Sequence, residues 1–195
     1  MTINPLESKK FDPQKLAKLN DPKRLEYLDP DVIWDTLNLE NPRTIVDIGA
    51  GTGVFAFQFS RRMSGGRTYA CDLLDVMVKW MKENLPGELK DSVIPLKMEE
   101  SSVPLPDGIA DLVYMINLHH ELEEPEKMTK EAYRLLRKGG SLAVIDWKRE
   151  DTPEGPPLSF RVTAETIERQ MKAAGFLQIG ERPVLAFHSF VTGKK

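Results

Sequence analysis

The sequence predicts an α/β domain: a seven-stranded, mostly parallel sheet with helices on both faces, beneath an N-terminal helical cap. Three observations lead there. From Arg43 onward, short β-branched runs alternate with stretches of helical period, the pattern of a parallel sheet covered on both faces. One run, Asp111–Ile116, is continuously apolar, as in strands buried on both sides. The last two runs follow one another with only a turn between them, so one of them runs antiparallel. A chain of 195 residues can bury one sizeable core and is too short for two ordinary domains.

The cap occupies residues 1–42 and belongs to the same unit as the domain at 43–195. Asp-Pro pairs punctuate it (Asp12-Pro13, Asp21-Pro22, Asp29-Pro30), since aspartate suits a helix cap and proline the first helical position. Short helices are expected at Lys15–Leu19, Lys23–Tyr27 and Asp31–Leu37, the last with Val32, Ile33, Trp34 and Leu37 on its apolar face. Strands follow at Thr44–Ile48, Thr68–Cys71, Val93–Leu96, Asp111–Ile116 and Ser141–Ile145, then near Phe176–Gly180 and Ala186–Thr192. Pro95 places the third of these at a sheet edge. Helices are expected at Val54–Arg62, at Asp75–Leu85 with Val76, Val78, Trp80 and Met81 buried and Asp75 as its cap, and at Pro125–Leu136, stopped by Gly139-Gly140. Asp151–Ser159, rich in proline and glycine, is a loop. Thr163–Ala174 is a helix with Thr163 at its start and Gly175 at its end.

Composition narrows the function. The chain is 41% hydrophobic and 29% charged, as in a folded globular protein, and its net charge of −3 argues against nucleic acid as the main partner. Its single cysteine, Cys71, forms no internal disulfide, and no Cys/His cluster has metal spacing. The N-terminal residues lack the apolar run of a secretory signal, and no stretch approaches the about 18 apolar residues of a membrane span. The expected setting is the cytoplasm.

The chemistry concentrates at Thr44-Ile-Val-Asp47-Ile-Gly49-Ala50-Gly51-Thr-Gly53, a strand, a glycine turn and a helix start. Glycines serve there where the chain leaves a strand sharply and a ligand lies against bare backbone. A dinucleotide would use such a turn too, with its pyrophosphate on the helix N-terminus. Here, however, the spacing is G-x-G-x-G, and Asp47 would repel a pyrophosphate and favour a cation.

Val46–Gly53 (VDIGAGTG) resembles the first motif of the class I S-adenosylmethionine (SAM)-dependent methyltransferases. Within that family the sequence is most similar to the type-11 and ubiquinone/menaquinone C-methyltransferase-like group, which acts on small molecules. The resemblance runs from Arg43 to about the C-terminus and implies a Rossmann-like sheet. Asp72 ends the second strand where the family's acid accepts the ribose hydroxyls, and Asp72–Met77 resembles its D-x-S-x-x-M stretch with Leu74 for serine. Leu73 or Leu74 would pack on adenine. Leu96–Asp107 resembles G-D-A-x-x-L-P-F-P-D, with Glu99 at the adenine-binding acid, Met98 before it and Glu100 after it. Leu136–Gly140 resembles the L-K-P-G-G turn, with Lys138 for proline. The implied cofactor site comprises Asp47 (to the methionine ammonium), Gly49, Ala50, Gly51, Gly53, Asp72, Leu73, Glu99, Glu100 and Asn117; the cofactor is SAM and the product S-adenosylhomocysteine.

After the fourth strand comes Asn117-Leu118-His119-His120-Glu121, at the carboxyl edge where open α/β sheets bind ligands. His119 or His120 is the candidate base, since imidazole titrates near neutral pH. Trp147-Lys148-Arg149 reads as an amphipathic loop, with pocket lining as the alternative, Asp111 as a steadying group at its strand start, and Cys71 as a small buried residue. Asn117 is followed by Leu118-His119 and not by the (N/D)-P-P-(Y/F) of the amino-methylating nucleic-acid enzymes. One cysteine also disfavours cytosine-C5 and arsenic methylation. The expected reaction is in-line methyl transfer to a small-molecule acceptor. A non-catalytic SAM-binding protein and an NAD-dependent oxidoreductase are the alternatives.

Overall fold

The computed structural model describes residues 16–195. The Asp12-Pro13 pair and Lys15 lie outside the described residues. The cap contributes α1 (Leu16–Leu19), α2 (Arg24–Tyr27) and α3 (Pro30–Leu37). Asp29 caps α3 as its proline neighbour predicts, its carboxylate accepting from the Asp31 amide at 2.8 Å. The domain then runs β1 (Thr44–Ile48), α4 (Val54–Arg62), β2 (Arg67–Asp72), α5 (Asp75–Asn84), β3 (Val93–Lys97), β4 (Ala110–Ile116), α6 (Pro125–Leu135), β5 (Leu136–Trp147), α7 (Ala164–Ala174), β6 (Leu177–Glu181) and β7 (His188–Lys194).

The seven strands lie in the order β3-β2-β1-β4-β5-β7-β6. Pairing is parallel from β3 through β5, and β7 runs antiparallel to both its neighbours. β3, with Pro95, is an edge strand. Alternation sorts the side chains. Val46, Ile48, Val113 and Met115 face α6 and α7, burying Met128, Ala132, Ile167 and Met171. Ile45, Leu112, Tyr114 and Ile116 face α4 and the cap, burying Phe55, Phe59, Leu28, Ile33 and Leu37. The cap therefore shares a core with the sheet.

Several expectations are corrected. Val32 and Val76 sit on the outer sides of their helices, 39% and 45% exposed, because Ile33 and Leu37 in α3 and Met77, Val78 and Met81 in α5 take the inward positions. Asp75 does not cap α5: Leu74 holds the cap position, and the Asp75 carboxylate pairs with Lys97 at 3.2 Å. Gly139-Gly140 do not stop α6, which ends at Leu135 and passes straight into β5. Leu136 pairs with Ala110 and Ser141 with Leu112, so residues 137–140 bulge opposite Asp111. The glycines serve that bulge, and β5 is longer at both ends than the expected Ser141–Ile145.

Asp111 steadies this junction. Its carboxylate accepts from the Arg43 and Thr44 amides at 2.7 and 2.8 Å and pairs with Arg137 in the bulge. Partial burial would raise its pKa, but Arg137 and the two amides outweigh that and hold it below the usual carboxylate value. Asp111→Ala should lower stability by about 1–3 kcal/mol in urea denaturation. Because the native carboxyl is the stronger acid, its contribution is present at neutral pH and lost in acid. The difference between the two proteins should therefore shrink as pH falls through the carboxylate range; a constant difference would contradict the assignment.

Candidate active site

β1 is flanked by β2 on one side and β4 on the other, so the chain order reverses between β1 and β4. Beyond the paired residues Asp47 and Tyr114, the two chains leave for opposite faces and open a crevice at the carboxyl ends of the strands. A cleft of about 1000 Å³ occupies it. Among the residues expected at the site, Asp47, Gly49, Ala50, Gly51, Asp72, Leu73, Glu100, Asn117 and His120 line this cleft.

Three do not. Gly53 begins α4 in the left-handed region (φ 80°), and a Cβ there would press on Phe57 at 2.9 Å, so its smallness serves helix packing. Glu99 is exposed and bridges Ser102 through its backbone, while its neighbours Met98 and Glu100 face the cleft. His119 turns to α7, where Nε2 lies 2.7 Å from Gln170 Oε1, and Gln170 in turn donates to Glu126 at 3.1 Å. Burial pushes the His119 ring below its usual value, so it is a neutral strut.

The glycine turn is shaped for a close ligand. Gly49 has φ 75°, and a Cβ there would lie 2.7 Å from the Leu118 side chain. Asp72 ties the turn to α5, its two oxygens accepting from the Gly51 amide at 2.8 Å and the Leu74 amide at 2.9 Å. Burial raises the Asp72 pKa, and these amides and Lys97 partly offset it. Beneath the turn, Asp47 is 3% exposed, and burial pushes its pKa well up, opposed by the Tyr114 hydroxyl and reinforced by the nearby Asp72 charge. The buried Tyr114 hydroxyl faces the Asp47 carboxylate, while Thr52 Oγ1 and Asn117 Oδ1 in the cleft lining are buried without hydrogen-bond partners. An occupant that brings an ammonium and further polar groups would satisfy this set.

His120 is the second polar centre. Its backbone N–H donates to Asp146 Oδ2 at 2.9 Å, and its Nδ1 lies 2.7 Å from Asp146 Oδ1. Asp146 is wholly buried near the end of β5 and also accepts from the Trp147 amide at 2.7 Å. Burial favours the neutral form of each, but their mutual attraction wins: the His120 pKa is raised and the Asp146 pKa lowered. An ionised Asp146 only accepts, so Nδ1 carries the proton and Nε2 is left toward the cleft, 3.8 Å from Glu121.

Sequence reasoning misses Asp146, although a carboxylate closing an apolar strand beside the switch point is a usable signal. Tyr27 and Arg24 of the cap and Trp147 also line the cleft. Trp147 is thus the last residue of β5 and part of the wall, not a loop residue.

Fold and cleft together define a class I methyltransferase scaffold, and comparison with known proteins agrees. A family model for a methyltransferase domain of the type-11 group matches residues 46–144. A SAM-dependent methyltransferase from Aquifex aeolicus superposes with a TM-score of 0.87 and 33% identity over 94% of this chain and 98% of that one. The ubiquinone/menaquinone biosynthesis C-methyltransferase of Enterobacter sp. is 26% identical over 59% of this chain and 47% of the relative. The malonyl-[acyl-carrier protein] O-methyltransferase of Methylococcus capsulatus is 25% identical over 71% of this chain and 53% of the relative. The chain thus spans about half the length of these curated relatives. Human N-acetylserotonin methyltransferase, solved with SAM, shares the fold at a TM-score of 0.74 and 17% identity over 94% of this chain and 56% of that one.

The chain belongs to the type-11 group of SAM-dependent methyltransferases, and SAM is its cofactor. Among the described residues no helix is long and apolar enough to cross a membrane, and no cluster of His, Cys, Asp and Glu could hold a metal ion.

The His120–Asp146 pair makes a direct prediction. In NMR titration the His120 ring should deprotonate above the ordinary histidine value of about 6.5. Asp146→Asn should lower that midpoint; an unmoved midpoint would refute the pairing.

Proposed function

We propose that this protein methylates a small-molecule acceptor carrying a removable proton, with His120 as general base and Asp146 as the residue that orients it. The observation that carries this reading is the buried 2.7 Å contact between His120 Nδ1 and Asp146, in a side chain that lines the same cleft as the glycine turn. When bound, SAM supplies a methyl group on a sulfonium, already activated for in-line displacement, which leaves a neutral thioether.

The protein's own residues position and deprotonate. Asp47 holds the methionine ammonium and Asp72 the ribose hydroxyls; Met98, Glu100 and Leu73 flank the adenine. Asn117 Oδ1 and Thr52 Oγ1 are further acceptors for the amino-acid end. His120 Nε2 accepts the proton of the acceptor as the nucleophile forms, and the imidazolium is stabilised by Asp146 until the proton passes to water. Positioning of this kind can supply roughly 7–11 kcal/mol, and a general base about 10²–10⁴-fold in rate. A pyrophosphate cofactor is disfavoured by the buried carboxylate of Asp47 beneath the turn.

Isothermal titration should detect one site each for SAM and S-adenosylhomocysteine and none for NADH. Asp47→Asn should weaken SAM at least about tenfold, as expected for a lost charge-assisted contact. The raised Asp47 pKa sets the sign of the pH effect: wild-type affinity falls as pH falls and the carboxylate is protonated, whereas the Asp47→Asn variant should lack that dependence. His120→Asn should lower kcat about 10²–10⁴-fold on an acceptor found by methyl-transfer screening, with the SAM Kd little changed. The wild-type rate should rise with pH through the raised His120 pKa. Undiminished kcat in the His120→Asn variant would exclude the base.

A further inference from the structure

The cleft also holds cap residues to which the proposed cofactor contacts assign no role. Arg24 lines it, half-buried, and desolvation lowers its pKa. Its guanidinium hydrogen-bonds to the Leu19 carbonyl and lies 5.9 Å from the Phe55 ring; among the described residues it has no carboxylate partner. Of the other acids that line the cleft, Asp21 accepts from the Lys23 amide at 3.0 Å and Asp72 from the Gly51 and Leu74 amides. Glu154 accepts from the Tyr27 hydroxyl at 3.1 Å, and Glu121 lies beside His120 Nε2. A guanidinium sheltered without a counter-charge is an open seat for an anion.

Next to it stands a wall of rings. Tyr27, three residues after Arg24 in α2, meets Trp147 at 5.8 Å between centroids. Behind both, His188 stacks on Tyr27 (6.0 Å, 9° between planes) and packs against Trp147 (4.2 Å). Burial pushes the His188 ring down to about 3, so this backing plate is neutral and does not compete with Arg24 for an anion. Arg161 covers Trp147 from another side at 5.5 Å, and its guanidinium donates to Thr152 Oγ1 and to the carbonyls of Lys148, Glu150, Glu154 and Pro156 at 2.7–3.2 Å. The proline-rich loop is thereby fastened into a rigid wall.

We infer that the acceptor is a hydroxylated aromatic acid: a flat ring against the Tyr27–Trp147 wall, an acidic substituent on Arg24, and the reacting hydroxyl toward His120. The inference rests on the reading of His120 as the acceptor's base. A base is of most use to a hydroxyl whose proton is held at neutral pH, as in a phenol. Trp147 adjoins Asp146 in the chain, so the ring wall and the carboxylate that orients the base are built from one strand end. Apolar rings with few placed polar groups are the usual make-up of a small-molecule seat. The cleft volume stands at the upper end for a single ligand, which suits a cofactor and an acceptor side by side.

The experiment compares three ligands with one ring and three charges. Protein saturated with S-adenosylhomocysteine is titrated calorimetrically with 3,4-dihydroxybenzoate, catechol and dopamine. The anion should bind at least about tenfold tighter than catechol, with dopamine weakest. Arg24→Gln should erase the preference and leave the Kd for S-adenosylhomocysteine within about threefold, while Arg24→Lys should retain part of it; thermal melts verify that both variants are folded. Equal or tighter binding of catechol or dopamine, or no binding by any of the three, would overturn the inference. So would an Arg24→Gln protein that loses S-adenosylhomocysteine instead, because Arg24 would then hold the cofactor's own carboxylate. Failure of the wild type to bind S-adenosylhomocysteine would overturn the site reading as well, whereas binding without a charge preference overturns this inference alone.

Discussion

Beyond the Asp47–Tyr114 pair, β1 and β4 send their chains to opposite faces of the sheet, and the rest of the site depends on that divergence. α4 packs on the face that carries Ile45 and Tyr114, while α6 packs on the face that carries Val46 and Val113. The two strand ends therefore cannot close on each other, and a crevice persists between them. The glycine turn lies at one rim. Leu118, which Gly49 meets too closely to admit a side chain, marks the other. Asn117, held in the left-handed region (φ 56°), redirects the chain after β4 so that His120 comes over the end of β5.

The crevice concentrates polar groups that a folded protein ordinarily pairs. Asp47 is buried with its carboxylate short of a cation, and Thr52 and Asn117 carry buried oxygens without partners. Each such group costs stability in the free protein, of order 1–3 kcal/mol. A zwitterionic ligand would satisfy them together, which turns a local instability into binding selectivity. The His120–Asp146 pair is the opposite case. It is internally satisfied, and its contacts orient the imidazole in the free protein without help from a ligand. One half of the cleft is thus completed by its ligand and the other is preorganised.

Much of this is legible in the sequence because local rules and the global fold agree there. Thr44–Ile48 and Val54–Arg62 are found with the expected bounds, since a β-branched run, a glycine turn and a helical period each mark their own limits. Pro95 marks the edge strand, and the acid at the end of β2 reaches the cleft. The failures are tertiary. Whether Val32 or Ile33 faces inward depends on where α4 lies, and a helical period leaves that choice open by a single residue. Gly139-Gly140 read equally as a helix stop or a strand bulge, and only the pairing of β5 with β4 decides. His119 and His120 are adjacent and chemically identical; they part because Gln170 lies on one side and Asp146 on the other, 51 and 26 residues away. Motif alignment points to Glu99, but the chain turns at the end of β3 and puts Met98 and Glu100 inward in its place.

The most direct test is a crystal structure with S-adenosylhomocysteine bound. The ammonium should lie within hydrogen-bonding distance of Asp47, the ribose hydroxyls on Asp72, and the sulfur should be directed across the cleft toward His120. A ligand bound with its sulfur turned away from His120, or with its amino-acid end remote from Asp47, would contradict this arrangement.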